Sequence, residues 1–125
     1  MNFFEGRLRR NGPEYSFEGP GFTVALPAAW SVPLAEATEG SAALGLRPED
    51  VMCMDAGDPG TFHFEATVDV VEPMGAETCL YAGIGGAPFI ARVEGSVRVK
   101  PDERRRFRLR LDAAHCFAPS GQAWV

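Results

Sequence analysis

Apolar and polar residues alternate at a period of two in several short segments of the chain. The alternation is strict in residues 62–70, where one side carries Phe62, Phe64, Ala66, Val68 and Val70 and the other carries His63, Glu65, Thr67 and Asp69. This is the period of a β-strand with one buried face. The chain has 14 Gly and 10 Pro residues scattered between such segments, and no long helical period interrupts them. We therefore predict an all-β domain of about seven to nine short strands, enough for a small closed barrel.

Turn residues separate the other predicted strands. Residues 3–10 and 15–26 are predicted to pair as a hairpin around Asn11-Gly12, with Pro27 ending the return strand. The further predicted strands are 42–46, 78–84, 89–93 and 106–111; Pro73 and Gly75 follow the strand at 62–70, and Gly85-Gly86 joins 78–84 to 89–93. We interpret residues 28–41 as a surface connection with a short strand around Trp30–Val32, and residues 52–60 as an acidic loop.

Composition narrows the class of protein. A chain of 125 residues is about the size of one domain, so we expect a single domain over residues 1–125. The net charge of -5 disfavours attraction of the whole protein to nucleic acid. Lys100 is the only lysine and no G-x-x-x-x-G-K-S/T motif occurs, so we expect that this chain alone does not hydrolyse ATP.

Targeting signals and cysteines indicate the cellular compartment. The sequence shows neither a signal peptide nor a long apolar run. Cys53, Cys79 and Cys116 are odd in number and widely spaced, which does not suit a disulfide framework. We therefore expect a soluble protein in a reducing cytosol.

Few residues suggest catalysis or metal binding. His63 and His115 could supply a base at neutral pH, but neither lies in a recognisable motif, and Cys116 beside His115 should point to the opposite face of a strand. The spacing of Cys53, Asp55, Asp58 and His63 matches neither a zinc nor a calcium site, so we interpret them as part of a polar loop. Gly83-Ile84-Gly85-Gly86 lacks a following helix that could bind phosphate and is predicted to be a hairpin tip. We predict no catalytic, cofactor-binding or metal-binding residue.

A basic stripe lies near the end of the chain. It comprises Arg98, Lys100, Arg104, Arg105, Arg106, Arg108 and Arg110. Small barrels can bind single-stranded nucleic acid through such a stripe, but stacking aromatics are missing from its outward positions because Phe107 falls on the inward set. We favour a solvated or interface-pairing face without a nucleic-acid partner, and keep a single-stranded nucleic-acid binding OB-fold as an alternative hypothesis.

Several segments, taken in order, resemble one known family. They are Met1-Asn2-Phe3-Phe4, Leu44-Gly45-Leu46-Arg47-Pro48-Glu49-Asp50-Val51, Val70-Val71-Glu72-Pro73-Met74-Gly75-Ala76-Glu77-Thr78, Ala91-Arg92-Val93-Glu94-Gly95, and Leu111-Asp112 followed by His115 and Phe117. Together they resemble the C-terminal regulatory domain, an OB-like β-barrel of the TOBE type, of ATP-binding subunits of bacterial sugar importers of the maltose and glycerol-phosphate type. The resemblance covers nearly the whole chain, and its two middle motifs are the more specific ones.

The resemblance implies a non-catalytic regulatory module. It implies an ATPase domain in cis, expected N-terminal to residue 1, which would bind ATP and Mg²⁺, so that no cofactor binds this chain and the chain is a fragment of a longer protein. The implied partners are a second copy of the same subunit in a homodimer, membrane permease subunits reached through the ATPase domain, and a cytosolic regulator in some members. The full assembly would lie in the cytoplasm, peripherally on the inner face of the bacterial cell membrane.

Two segments form the predicted interface or regulatory site. Arg47, Pro48 and Glu49 leave a strand, where opposite charges suit an ion pair that orients the next segment, although the alternative is a plain turn. Glu72 and Gly75 belong to a bend that leaves Glu77 and Thr78 at a rim open to a partner, although the bend could serve barrel closure alone.

A small-molecule or oxyanion-sensing OB-like module is the second hypothesis. Related OB-like modules of oxyanion importers bind their anion between paired domains. The present sequence has no obvious oxyanion nest.

Overall fold

The computed structural model describes residues 1–54, 58 and 60–125, and these residues form ten strands and three short 3₁₀ helices. The strands are β1 (Asn2–Asn11), β2 (Glu14–Gly19), β3 (Phe22–Ala25), β4 (Gly40–Leu46), β5 (Val51–Met54), β6 (Phe64–Pro73), β7 (Glu77–Ile84), β8 (Ala87–Glu94), β9 (Arg104–Leu109) and β10 (His115–Phe117). The 3₁₀ helices cover Ala28–Ser31, Pro48–Asp50 and Leu111–Ala113. The all-β prediction is confirmed, with more strands than the sequence suggested. In the part of the chain that is described, no helix is long and apolar enough to cross a membrane.

Two five-stranded sheets enclose one core. The first has the order β10-β4-β1-β2-β3 and the second the order β5-β9-β6-β7-β8, with antiparallel pairing throughout. Six phenylalanines from both sheets meet between them with ring centroids 5.1 to 6.4 Å apart: Phe4, Phe17, Phe22, Phe64, Phe89 and Phe107. Aromatic pairs of this kind add about 0.5 to 1.5 kcal/mol each beyond the burial of their area. The shared cluster therefore holds the two sheets together as a barrel.

The first hairpin is more divided than predicted. Asn11 pairs with Glu14 across Gly12, whose φ of 63° suits a tight turn, as the sequence indicated. The return strand is not continuous, because Pro20-Gly21 turns it again and separates β2 from β3. Pro followed by a Gly at φ 75° is the sequence preference of a type II turn.

Two segments have a secondary structure that differs from the prediction. The short strand expected around Trp30–Val32 is wrong, because Ala28–Ser31 is a 3₁₀ helix. The Leu34 N–H donates to the Trp30 carbonyl at 2.9 Å. The side chains of Trp30 and Leu34 are both buried. The acidic loop expected over 52–60 is wrong for residues 52–54, which lie in β5 and pair with β9. Residues 55–57 and 59 lie outside the described residues.

The burial of residues 62–70 follows the strict alternation of their sequence only in part. Phe64, Ala66 and Val68 point inward as predicted, but Val70 is 53% exposed because the register shifts between Val68 and Val70 as β6 pairs with β7. Phe62 precedes the strand and is also exposed. This β-bulge reverses the faces of the second half of β6, and so turns Glu72 towards the outside.

Candidate interface site

The structure places the two predicted site segments beside one another. Arg47 and Glu49 are exposed where β4 ends, at the 3₁₀ helix that begins with Pro48. Glu72 and Glu77 are exposed on either side of the corner between β6 and β7. At that corner the Met74 N–H donates to the Glu77 carbonyl at 2.8 Å, which closes the turn.

Arg92, on the neighbouring strand β8, joins the two segments. Its Nη1 lies 3.7 Å from Glu49 Oε2 and its Nε lies 3.4 Å from Glu77 Oε2. Arg92 Nε is buried and makes no hydrogen bond within the described part of the chain, and Nη1 lies beyond hydrogen-bond distance of Glu49, so both contacts are loose ion pairs. Pairs as exposed as these contribute roughly 0 to 1 kcal/mol. We refer to Arg92, Glu49 and Glu77 as the rim cluster.

The ion pair suggested by the Arg47-Pro48-Glu49 sequence is not the one that forms. Glu49 pairs with Arg92 and not with Arg47. The residue after it, Asp50, is buried and pairs with Arg110, at 3.7 Å between Oδ1 and Nη1, while its carbonyl accepts the Arg110 N–H at 2.9 Å. Pro48 therefore begins a helical turn whose two acids pair with different partners, Glu49 with Arg92 of β8 and Asp50 with Arg110, the residue after β9.

The other corner residues have distinct environments. Gly75 has a φ of 91°, a conformation that favours glycine, and open space surrounds its missing side chain. Tyr81 Oη donates to Glu72 Oε1 at 3.2 Å, and the negative charge of that carboxylate raises the pKa of Tyr81. Thr78 is buried, whereas Glu72 and Glu77 are exposed.

A cleft of about 610 Å³ lies beside the corner between β6 and β7. Its walls come from the end of β6, the start of β7 and the segment 95–103, with Pro73, Thr78, Val97, Arg98 and Lys100 among them. The rim cluster and this cleft are thus separate features at the same end of the second sheet.

Candidate catalytic groups are held in structural contacts. His63 Nδ1 accepts the Leu109 N–H at 2.8 Å, and burial, with the nearby Arg108 charge, lowers the pKa of His63. His115 and Cys116 lie in β10, where Cys116 is fully buried and His115 is half-buried with Nδ1 3.2 Å from the Val125 carbonyl oxygen. Burial raises the pKa of the Cys116 thiol to about 11, which disfavours a thiolate.

The residues considered for metal and phosphate binding do not form such sites in the described part of the chain. No group of three or more His, Cys, Asp or Glu side chains that could hold a metal ion occurs among residues 1–54, 58 and 60–125. Of the four residues considered from the sequence, Asp55 lies outside that range. Ile84 and Ala87 pair on either side of Gly85-Gly86, which confirms the predicted hairpin tip.

The basic stripe is less uniform than its sequence. Arg105 is buried and not part of an outward face, because its guanidinium donates to the Met54 carbonyl at 3.0 and 3.3 Å and to the Arg98 carbonyl at 3.1 Å. Arg104 and Arg106 both donate to Glu65, and these hydrogen bonds lower the pKa of its carboxyl group.

An exposed aromatic lies beside the stripe, although Phe107 of β9 itself is buried as the sequence predicted. Arg106 Cζ is 4.7 Å from the ring centroid of Phe62, a side chain that the alternation had placed inward. The arginine charge is therefore shared between Glu65 and this ring, and less of it is free to attract a polyanion.

Sequence reasoning missed Arg92 as a site residue, although a signal was present. Arg92 is the only lysine or arginine between residues 61 and 97, a range that holds five acids. A lone base among acids is the position where an arginine can gather several carboxylates. The second missed residue is Asn2, which is buried and hydrogen-bonded to Ile90 of β8.

The chain belongs to the TOBE domain family. The model of that family matches residues 44–118, and the model of the MalK OB fold domain matches residues 1–51. The fold is therefore the OB-like barrel that the sequence motifs suggested.

Relatives that match most of the chain are ATP-binding proteins of importers, which confirms the predicted family. The chain is 34% identical to the alpha-glucoside transport ATP-binding protein AglK of Rhizobium meliloti (strain 1021), over 85% of this chain and 30% of that protein. It is 35% identical to the xylose/arabinose import ATP-binding protein XacK of Haloferax volcanii, over 94% of this chain and 30% of that protein. The chain thus spans less than a third of the length of these relatives.

A solved structure shares the fold at low sequence identity. The cytoplasmic molybdate-binding protein ModG superposes with a TM-score of 0.71 and 14% identity, over 95% of this chain and 96% of that chain. At this identity the likeness concerns the fold alone.

Proposed function

We propose that this chain is the regulatory domain of an ATP-binding subunit of a sugar-type ABC importer. The observation that carries the proposal is that two family models together span residues 1–118, while relatives named as sugar-import ATP-binding proteins are more than three times as long as the matched region. On this proposal, residues 1–125 form one domain, and an ATPase domain in cis binds ATP and Mg²⁺. This chain then needs no cofactor of its own and works on the cytoplasmic face of the membrane.

The proposed role is to bias the assembly by contacts and not by catalysis. A domain that associates more favourably in one state of the attached ATPases shifts the equilibrium by its differential affinity, and a docked regulator can do the same. The proposed partners are a second copy of the subunit, the permease subunits through the ATPase domain, and a cytosolic regulator. Two observations support a non-catalytic role: His63 Nδ1 already accepts the Leu109 N–H, and the Cys116 thiol has a raised pKa.

The rim cluster is the surface that we assign to these contacts. Glu49 and Glu77 are more than half exposed on their side chains, and neither makes a hydrogen bond to Arg92. Their carboxylates therefore keep acceptor capacity for a partner, and Glu72 adds a third charge at the same corner. Arg47, exposed beside the cluster, offers the opposite charge.

The first experiment is to sequence the source DNA upstream of the Met1 codon. We expect an open reading frame that carries G-x-x-x-x-G-K-S/T. A stop codon and a ribosome-binding site directly before Met1 would contradict the proposal, because the chain would then be a free-standing module.

The second experiment tests the rim in the intact transporter. Glu72→Lys and Arg47→Glu reverse charges at the proposed surface, and Glu14→Lys, at the exposed start of β2, is the matched control. We expect the first two to alter subunit dimerisation or the regulation of uptake while the control does not. Unchanged dimerisation, uptake and regulation in both rim variants would remove the assignment of the site.

An oxyanion sensor is the second candidate function, and two basic side chains in the cleft beside the corner favour it. Arg98 and Lys100 line this cleft, but Glu103 also lines it and accepts the Lys100 N–H at 2.8 Å, which disfavours an anion. Thermal unfolding with molybdate, sulfate or phosphate tests the candidate, since a ligand at a hundred times its Kd adds about 2.7 kcal/mol to stability. A shift with one of these anions would support it, and no shift with any would exclude oxyanion sensing by this cleft.

A further inference from the structure

The side chain of Asn2 connects strands that belong to different sheets. Asn2 Nδ2 donates to the Ile90 carbonyl at 2.8 Å, and the Ile90 N–H donates to Asn2 Oδ1 at 2.8 Å. The amide therefore makes the same pair of hydrogen bonds that a backbone residue of a neighbouring strand would make. Only 7% of Asn2 is exposed, so water does not readily replace these bonds.

No ladder pairs β1 with β8 among the residues that the structure describes. β8 is the last strand of the second sheet, so its outer backbone edge faces β1, and no strand of residues 1–54, 58 and 60–125 pairs with that edge. The Asn2 amide satisfies that edge at Ile90. It thereby closes the barrel at a place where the backbone alone leaves a gap.

The same residue lies at one corner of a closed path of contacts. On one side, Asn2 pairs with Leu46 of β4, which leads within three residues to Glu49. On the other side, Ile90 lies two residues before Arg92 on the same strand. The contact of 3.7 Å between Arg92 and Glu49 completes the path.

We propose that Asn2 is a positioning residue that closes the barrel between β1 and β8 and thereby holds Arg92 beside Glu49 and Glu77. A displacement of β1 is then passed to the rim cluster through two short hydrogen bonds. The regulatory meaning of this link rests on the proposed function, because an ATPase domain attached before Met1 would act on β1. The geometric link itself belongs to this chain and can be tested in it.

The test compares hydrogen exchange by NMR in the unmodified chain, in Asn2→Ala and in Asn11→Ala. Asn11 is a matched control because it is the other asparagine of the chain and lies exposed at the opposite end of β1. Three protons are followed: the Ile90 N–H, the Arg92 Nε–H, and the N–H of Phe17, a fully buried residue of β2 that reports global unfolding.

We expect Asn2→Ala to raise the exchange rates of the Ile90 and Arg92 protons by about tenfold relative to Phe17, because the buried edge of β8 loses its partner. The Asn11→Ala rates should match those of the unmodified chain. Equal acceleration of all three protons would overturn the proposal, since Asn2 would then support only global stability. Faster exchange at Ile90 with an unchanged rate at Arg92 would overturn it as well.

A second variant keeps the test decisive if Asn2→Ala does not fold. Asn2→Asp has nearly the same shape and can accept the Ile90 N–H, but its carboxylate cannot donate to the Ile90 carbonyl. We expect faster exchange of the Arg92 Nε–H in this variant, and an unchanged rate would overturn the proposal. An upstream reading frame without an ATPase motif would end the proposed function but would leave these exchange rates as they are, so the two failures are distinguishable.

Discussion

Replacing the buried Arg105 by methionine should destabilise the barrel strongly, although the sequence places Arg105 in an exposed basic stripe. Methionine keeps much of the apolar stem but removes the hydrogen bonds to the Met54 and Arg98 carbonyls and to Glu103 Oε1. Hydrogen bonds to a charged group are worth about 1.5 to 3 kcal/mol, and two carbonyls would lose this partner. The recovered cost of burying the guanidinium offsets part of the loss, so we expect a net destabilisation of about 3 kcal/mol.

Urea unfolding followed by tryptophan fluorescence measures this change, and thermal unfolding gives a second measurement. For a domain of this size, a loss of about 3 kcal/mol should lower the Tm by on the order of 10 °C. Arg104→Met is the matched control, because the side chain of Arg104 is 63% exposed and pairs with Glu65 at the surface. We expect that control to lie within about 0.5 kcal/mol of the unmodified chain.

Two results would refute the reasoning about Arg105. One is an Arg105→Met protein as stable as the unmodified chain, which would mean that the hydrogen bonds to Met54 and Arg98 add nothing beyond the cost of burying the charge. The other is an equal loss of stability in Arg104→Met, which would mean that removing any positive charge from β9 destabilises the fold to this extent.

Three further predictions concern the backbone, the cysteines and pH. Gly6→Ala should cost several kcal/mol in urea unfolding, on the order of an overpacked core site, because a Cβ there would overlap the carbonyl oxygen of Glu18. Cys116 should react with a thiol reagent at pH 8 more slowly than the half-buried Cys53, because burial raises the pKa of Cys116 to about 11. The folded state lowers the pKa of His63 below its ordinary value near 6.5, so the unfolded chain binds more protons and stability should fall as pH drops through that value.

Each of these predictions has a result that would contradict it. Gly6→Ala with unchanged stability would show that β2 can move away from β1 at little cost. Equal labelling rates of Cys53 and Cys116 in the folded protein would show that Cys116 is accessible. If His63→Gln, which retains an acceptor, unfolds with the same pH dependence as the unmodified chain between pH 7.5 and 5.5, then His63 is not the group responsible.

The sequence by itself determined the fold class and the family, because both depend on local patterns. Alternation at a period of two over 64–68 requires a half-buried strand, and Gly12 and Gly85-Gly86 require turns, whatever the rest of the chain does. The motifs around Arg47-Pro48-Glu49 and Glu72-Pro73-Met74-Gly75 were the more specific of the five segments that together predicted the family.

Only the tertiary structure decided which side chains meet and which face of a strand is buried. The bulge after Val68 turns the end of β6 over, because one extra residue in a strand exchanges its two faces. Glu49 pairs with Arg92 instead of its neighbour Arg47, because β8 approaches the end of β4 from a distant part of the chain. Contacts between residues tens of positions apart, such as Asn2 with Ile90, depend on how the two sheets close, and no local pattern in the sequence encodes that closure.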